Sequence, residues 1–256
     1  MIMINGSWTP VPILMYHDLE LQPRERKYKH FYVVQKDFEW QMRSLMKAGY
    51  TPISFDQLGA GISGKAVLPE KPILLTFDDG YRNVLTLAHP ILASLKMKFT
   101  VFIVSGKIGK TNDWVISEGY ETSPLMTWDE IIELRSTSLA DIQAHTVTHR
   151  RLSKLGPPEL ADELQMSKAA IEAKLGAPVN TICYPYGDYD DKVVEASKLA
   201  GYTYGVTTDF GRVRKDDNIL KMPRVSIHHV PFLSLDYGVS TLNYWWKIKS
   251  RVDRRD

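Results

Sequence analysis

Four stretches of this 256-residue chain set chemically unusual side chains directly behind short apolar runs, three of them acidic or imidazole. ILLTFDDGY places Asp78 and Asp79 side by side, with Gly80 next. Adjacent carboxylates repel each other unless a cation or a shared proton relieves them. QAHTVTHRRL places His145 and His149 four residues apart, on one face if the segment turns helically. Two histidines and a carboxylate form a recurring three-ligand set for a catalytic metal with an open position. TICYPYGDY adds Tyr184, Pro185, Tyr186 and Gly187, a tight turn that can aim a main-chain amide and an aromatic wall into one cleft. PILMYHD ends the first apolar run on His17 and Asp18, either a capping arrangement or part of a site.

Each stretch alone has a bland reading. DDG can cap a helix, two histidines four apart recur by chance, and YPYG is an ordinary turn. Together they assemble into metal-assisted hydrolysis: a metal polarises a carbonyl and a water, a carboxylate outside the ligand set takes the water proton, and a main-chain amide receives the oxyanion. An acid to protonate the leaving group is the remaining requirement.

The elements that must position these residues alternate along the chain. Apolar runs at 73 to 77, 99 to 104, 139 to 145, 181 to 184, 202 to 206 and 224 to 228 read as strands. Between them lie helical patterns at 36 to 48, after Tyr81, near Thr127, from Pro157 to Gly176 and near 190 to 200, while 20 to 33 reads as a solvated loop. In the long helix Leu160, Leu164, Ile171 and Leu175 mark the inner face, prolines open it and Gly176 stops it. Such alternation implies parallel strands with crossover helices, hence an α/β barrel or an open doubly wound sheet. Both architectures gather catalytic groups at the carboxyl ends of strands, where the unusual residues fall.

Composition narrows the class. At 44% hydrophobic and 24% charged residues, the chain has an ordinary globular balance and fits one domain. A net charge of +2 gives no electrostatic footprint for nucleic acid. The single cysteine, Cys183, excludes an intrachain disulfide and reads as a buried strand residue. MIMINGSWTPVP lacks the charged start and apolar run of a signal peptide, and no apolar stretch approaches the ~18 residues of a membrane span, so the expected location is cytoplasmic.

TFDDG, HTVTH and YPYG, in this order, resemble the signatures of the polysaccharide deacetylases, the NodB-homology or carbohydrate esterase group, and the resemblance runs from about residue 11 to about residue 228. It implies an α/β fold, a distorted (β/α) barrel with about seven strands in a single domain, spanning 1–232. It also implies removal of N-acetyl groups from N-acetylglucosamine-type residues of a polysaccharide or its precursor. Asp78 would then be the catalytic base, and Asp79, His145 and His149 the ligands of a divalent metal. Zinc is the usual metal, and some members prefer cobalt or nickel. Tyr184, Pro185, Tyr186 and Gly187 would line the substrate.

Two departures from the common pattern narrow the resemblance. Most members carry an arginine where this chain has Cys183, and a late Leu-x-His motif where it has RVSIHH, with His228 and His229. The poly-N-acetylglucosamine de-N-acetylase branch is similar in both respects: its acid histidine lies in an early LMYHD-like strand exit, and no arginine precedes YPYG. His17 is therefore the preferred general acid and His228 the rival. Asp18 either sets the protonation of His17 or caps the next turn, and Arg224 supplies the missing charge beside the base or forms a structural ion pair. Both are grouped with the substrate-side residues.

The stretch at 233–256 ends in LNYWWKIKSRVDRRD. Its aromatic and basic mix suits a peripheral membrane contact, although a final helix that docks its tryptophans on the barrel, with a solvated charged end, is the favoured reading. The partner implied is an N-acetylated glycan, with no nucleic acid. The same metal site could serve an O-acetyl esterase or a small-amide C–N hydrolase, and an inactive carbohydrate-binding barrel is the reading from another class.

Overall fold

A computed structural model describes residues 8–23 and 32–227. His228, His229 and the aromatic, basic stretch at 233–256 lie outside the described residues.

Seven parallel strands close into a barrel: β1 (Ile13–Tyr16), β5 (Pro72–Phe77), β6 (Phe99–Ile103), β7 (Ala140–Ala144), β8 (Thr181–Cys183), β9 (Tyr204–Phe210) and β10 (Met222–Ser226). Closure comes from β1, which pairs with β5 on one side, Leu14 opposite Leu75, and with β10 on the other, Leu14 opposite Val225. The two-residue β4 (Thr51–Pro52) leans on the start of β5. The ends of the stretch read from sequence as a loop, Glu20 and Tyr32–Val33, belong instead to a small parallel pair, β2 (Asp18–Glu20) with β3 (Tyr32–Val34). Three-residue strands this short carry too little alternation to be recognised.

Outside the barrel pack α1 (Gln35–Lys47), α3 (His89–Ser94), α4 (Trp128–Ser136), α5 (Pro157–Leu175) and α6 (Asp191–Leu199). Each buries an apolar face on the outward side of the strands. Leu14, Tyr16, Leu75, Phe77, Val101, Ile103, Ile142 and Ile182 join Phe38, Leu92, Ile131, Leu164 and Val193 in one cluster. Alternate strand residues, Ile13, Leu74, Phe102, Cys183, Val206 and Met222, form a second, inner cluster with Phe55 and Leu58. Those last two belong to α2 (Phe55–Ile62), a helix that begins on a Ser54/Gln57 capping box and that hydrophobic periodicity alone did not bring out. Among the described residues no helix is long and apolar enough to cross a membrane.

This alternation positions the chemistry. A strand turns successive side chains to opposite faces. With Ile13, Leu74 and Met222 inside, His17, Asp78 and Arg224 share the inward parity, as do Cys183 and, from Ile142 outward-facing, His145. All of them meet at the carboxyl end.

Candidate active site

Asp78 sits at the exit of β5, about as buried as the core, and Arg224 of β10 grips it with two parallel bonds: Nη1 donates to Oδ1 and Nη2 to Oδ2, each at 2.7 Å. Three further bonds fix the guanidinium, from Nε to the Thr207 carbonyl at 2.8 Å, from Nη1 to Thr76 Oγ1 at 3.1 Å and from Nη2 to Cys183 Sγ at 3.2 Å. Burial pushes the Asp78 carboxyl upward, but the paired Arg224 outweighs it and holds the group below its ordinary value. Asp78 is thus a carboxylate kept ionised inside a barrel. His17, at the exit of β1, brings Nε2 to 3.8 Å from Asp78 Oδ2 and keeps 22% of its side chain exposed, against 3% for Asp78.

Asp79 lies one residue later and faces elsewhere. Parity would turn it outward, but a left-handed backbone, φ 72°, swings it back to the rim. There its Oδ1 is 3.2 Å from His145 Nε2 and 3.4 Å from His149 Nε2. The three side chains are buried, and their donor atoms lie close enough together to share one ion. Burial pushes the Asp79 carboxyl upward, but the two imidazoles outweigh it and hold the group well below its ordinary value.

The HTVTH segment is not helical, so the expected reason for the two histidines sharing a face does not hold. They converge because Thr146 and His149 adopt left-handed φ of 65° and 62°, and their rings meet edge-on at 4.8 Å. Tyr186, φ 60°, is a fourth such residue at the rim. Left-handed non-glycine residues cost on the order of 1–3 kcal/mol each and concentrate at functional sites. Gly187 follows Tyr186 with φ 64°, where a Cβ would come within 1.9 Å of Thr208 Oγ1; only glycine completes that turn.

The residues fit a metal ion on their own chemistry. Asp79 Oδ1 is buried with no hydrogen-bond partner although it is aimed at two imidazoles, and a buried unsatisfied carboxylate oxygen is costly. His145 turns its other nitrogen, Nδ1, to the Cys183 carbonyl at 2.7 Å, the orienting contact that metal-bound histidines usually make. His149 is held differently, stacked on Trp114 at 4.3 Å with Tyr186 edge-on at 4.6 Å, and Arg151 lies 4.2 Å over the Tyr186 ring. Two imidazoles and a carboxylate suit zinc, cobalt or nickel.

Three residues expected on the substrate side stand behind the site instead. Arg224 is buried on Asp78, Tyr184 is buried with its hydroxyl donating to the Leu220 carbonyl at 2.7 Å, and Asp18 is buried, accepting from Asn83 Nδ2 and from Ser123 Oγ at 3.2 Å. Their polar atoms are spent on protein partners, leaving Tyr186 as the half-buried face of YPYG. Trp114 and Tyr81 escaped sequence reading. Tyr81 directly follows DDG, and its buried hydroxyl accepts from Asn112 Nδ2 at 2.8 Å and interacts with Asp79. Trp114, in the polar stretch TNDWVISEGY, is one of six tryptophans, and no spacing links it to His149.

A closed parallel barrel with buried carboxylates and imidazoles gathered at its carboxyl end has the architecture of a hydrolase. The polysaccharide deacetylase family model matches residues 65–205, and the chain belongs to that family, hydrolases acting on amide bonds of acetylated polysaccharides. It is similar to BC0361, a polysaccharide deacetylase from Bacillus cereus, at 31% identity and TM-score 0.73, over 90% of this chain and 68% of that one. The deacetylase PplD of Streptococcus pyogenes, solved in complex with acetate, is 26% identical with TM-score 0.74, covering 86% and 94%. The poly-beta-1,6-N-acetyl-D-glucosamine N-deacetylase of Staphylococcus aureus (strain MRSA252) is 25% identical over 210 residues, 79% of this chain and 70% of the relative.

Proposed function

We propose that this chain is a metal-dependent hydrolase that removes N-acetyl groups from N-acetylglucosamine-type residues of a glycan, releasing acetate. The observation that carries the reading is the division between neighbouring carboxylates: Asp78 is charge-balanced by Arg224, whereas Asp79 leaves Oδ1 unsatisfied between two imidazoles. The similarity to a poly-N-acetylglucosamine N-deacetylase and the early His17 support the amide-bearing glycan as substrate.

Asp79, His145 and His149 would hold the ion, zinc first and cobalt or nickel as alternatives. When bound, such an ion polarises the acetyl carbonyl and makes water acidic near neutrality. Asp78, ionised through its Arg224 pair, accepts a proton from the water whose oxygen bonds to the acetyl carbon. His17, across from Asp78, delivers a proton to the amide nitrogen as the C–N bond breaks, so the amine leaves neutral and acetate remains. Tyr186 and Trp114 wall the cleft on the ligand side.

The test is acetate release from β-1,6- and β-1,4-linked N-acetylglucosamine oligomers and from monomeric precursors, with His17→Ala and His228→Ala in parallel. Free amine and acetate in equal amounts from an oligomer are expected. Activity confined to acetyl esters would sink the amide reading, and a fully active His17→Ala beside a dead His228→Ala would reassign the acid. Fractionation of the native protein tests the expected cytoplasmic location and any peripheral membrane contact of 233–256.

A further inference from the structure

The inner face of α5 carries two residues that do not belong on an apolar stripe. Leu160, Leu164 and Ile171 are buried as the helical period requires, and so are Glu163 and Ser167, one turn apart on the same face. A carboxylate is almost never fully buried without partners. Glu163 has three: Oε2 accepts from the backbone N–H of Val147 at 2.8 Å and of Thr148 at 2.9 Å, and Oε1 accepts from the Thr148 hydroxyl. Ser167 Oγ donates to the Thr146 carbonyl at 3.0 Å. All four bonds fall on residues 146 to 148, the segment strung between His145 and His149.

That segment has no helix or strand of its own to hold its shape. Left-handed Thr146 and His149 turn the peptide groups between them so that successive N–H bonds point to one spot, the concave arrangement that elsewhere binds anions. Here the anion is internal. Its loss would leave the Val147 and Thr148 N–H groups without their acceptor and weaken the hold on the left-handed turns, freeing His149 to leave Asp79 while His145 stays tied to the Cys183 carbonyl.

We propose that Glu163, with Ser167 one turn later, is a positioning residue that splints the 145–149 loop from α5 and thereby sets the metal affinity of the Asp79, His145 and His149 site. The inference rests on the metal reading above. It assigns Glu163 no contact with substrate or ion.

The experiment measures zinc affinity by competition with a chromophoric chelator, and the visible spectrum of the cobalt-loaded protein, for wild type, Glu163→Ala, Glu163→Gln, Ser167→Ala and Thr148→Ala. Glu163→Ala is expected to weaken zinc binding by about 10- to 100-fold, the usual effect of removing a group that orients a ligand, and to change the cobalt spectrum. Glu163→Gln keeps an acceptor for the two N–H groups and should recover most of the affinity. Thr148→Ala, at an exposed side chain, and Ser167→Ala should each weaken binding several-fold, so the inference stands or falls even where Glu163→Ala does not fold. A purely structural Glu163 would lower the melting temperature of the metal-free protein and leave zinc affinity and the cobalt spectrum of the folded variants unchanged; that result overturns the proposal. Wild-type protein that takes up no zinc, cobalt or nickel would overturn the metal reading itself, whereas equal affinity in wild type and variants overturns only the splint.

Discussion

The two sides of the strand-end site are built from the same residue type in adjacent positions, yet they are finished in opposite ways. On the Asp78 side every polar atom is answered: Arg224 makes five hydrogen bonds into its surroundings, two of them to the carboxylate. On the Asp79 side a lone pair is left over, with Asp79 Oδ1 buried and without a hydrogen-bond partner between the two imidazoles. Burial is nearly equal, at 2% and 5% exposure, so solvent does not separate the two carboxylates. The neighbours do. A group that must exchange a proton needs its charge set by fixed partners, whereas a group that must bind an ion has to keep a lone pair in reserve.

That contrast can be broken from either side. The largest effect is expected for Asp79→Ala, which should abolish metal uptake, and turnover with it, as read by metal content after dialysis and by acetate release. Asp78→Asn should reduce turnover by on the order of 10²- to 10⁴-fold, the range for losing a general base, while metal content stays at the wild-type level. If Asp78→Asn loses metal as well, the two sides are not separate. His17→Ala follows, with a loss of ~100-fold or more in kcat and unchanged metal content.

Arg224→Met sharpens the comparison rather than breaking it. Removing one partner of a buried pair typically costs about 3–5 kcal/mol, measurable by denaturant unfolding. Its pH dependence reverses as well. In the wild type the lowered Asp78 contributes stability that is full above the unfolded carboxylate value of about 3.9 and is lost as pH falls toward the folded value. Without Arg224, burial dominates and raises that carboxyl, so the variant should regain stability as pH falls and lose it as pH rises. The acid limb of kcat/KM should move upward in the same variant; an unmoved limb would mean that Arg224 does not set the protonation of Asp78.

Much of the site could be read along the chain. DDG, HTVTH, YPYG and the MYHD exit each stood behind a run of buried residues, and parallel strands deliver their exits to one edge. Period-two alternation then aims residues 17, 78, 145, 183 and 224 inward, a consequence of counting from apolar neighbours. Other parts were not legible because no local rule reports them. The helical explanation for His145 and His149 failed, since the two converge through left-handed turns at Thr146 and His149, and the bonds around those turns come from Ser105, Gly106, Glu163 and Ser167, all distant in sequence. Trp114 meets His149 only through the fold. Glu163 did leave a trace, as an acid on an apolar stripe, but its partners lie 15 and 16 residues away.

By itself the sequence determined the class of chemistry, the strand exits that carry it and the family, because residue type and strand parity are local properties that a short motif can hold. Tertiary structure decided what surrounds each carboxylate. Asp78 and Asp79 are the same residue type, and their environments diverge only when Arg224, 146 residues along the chain, closes on one and the two histidines after β7 surround the other. Charge in a buried site is set by what is near in space, and proximity across a closed barrel is not written in sequence separation.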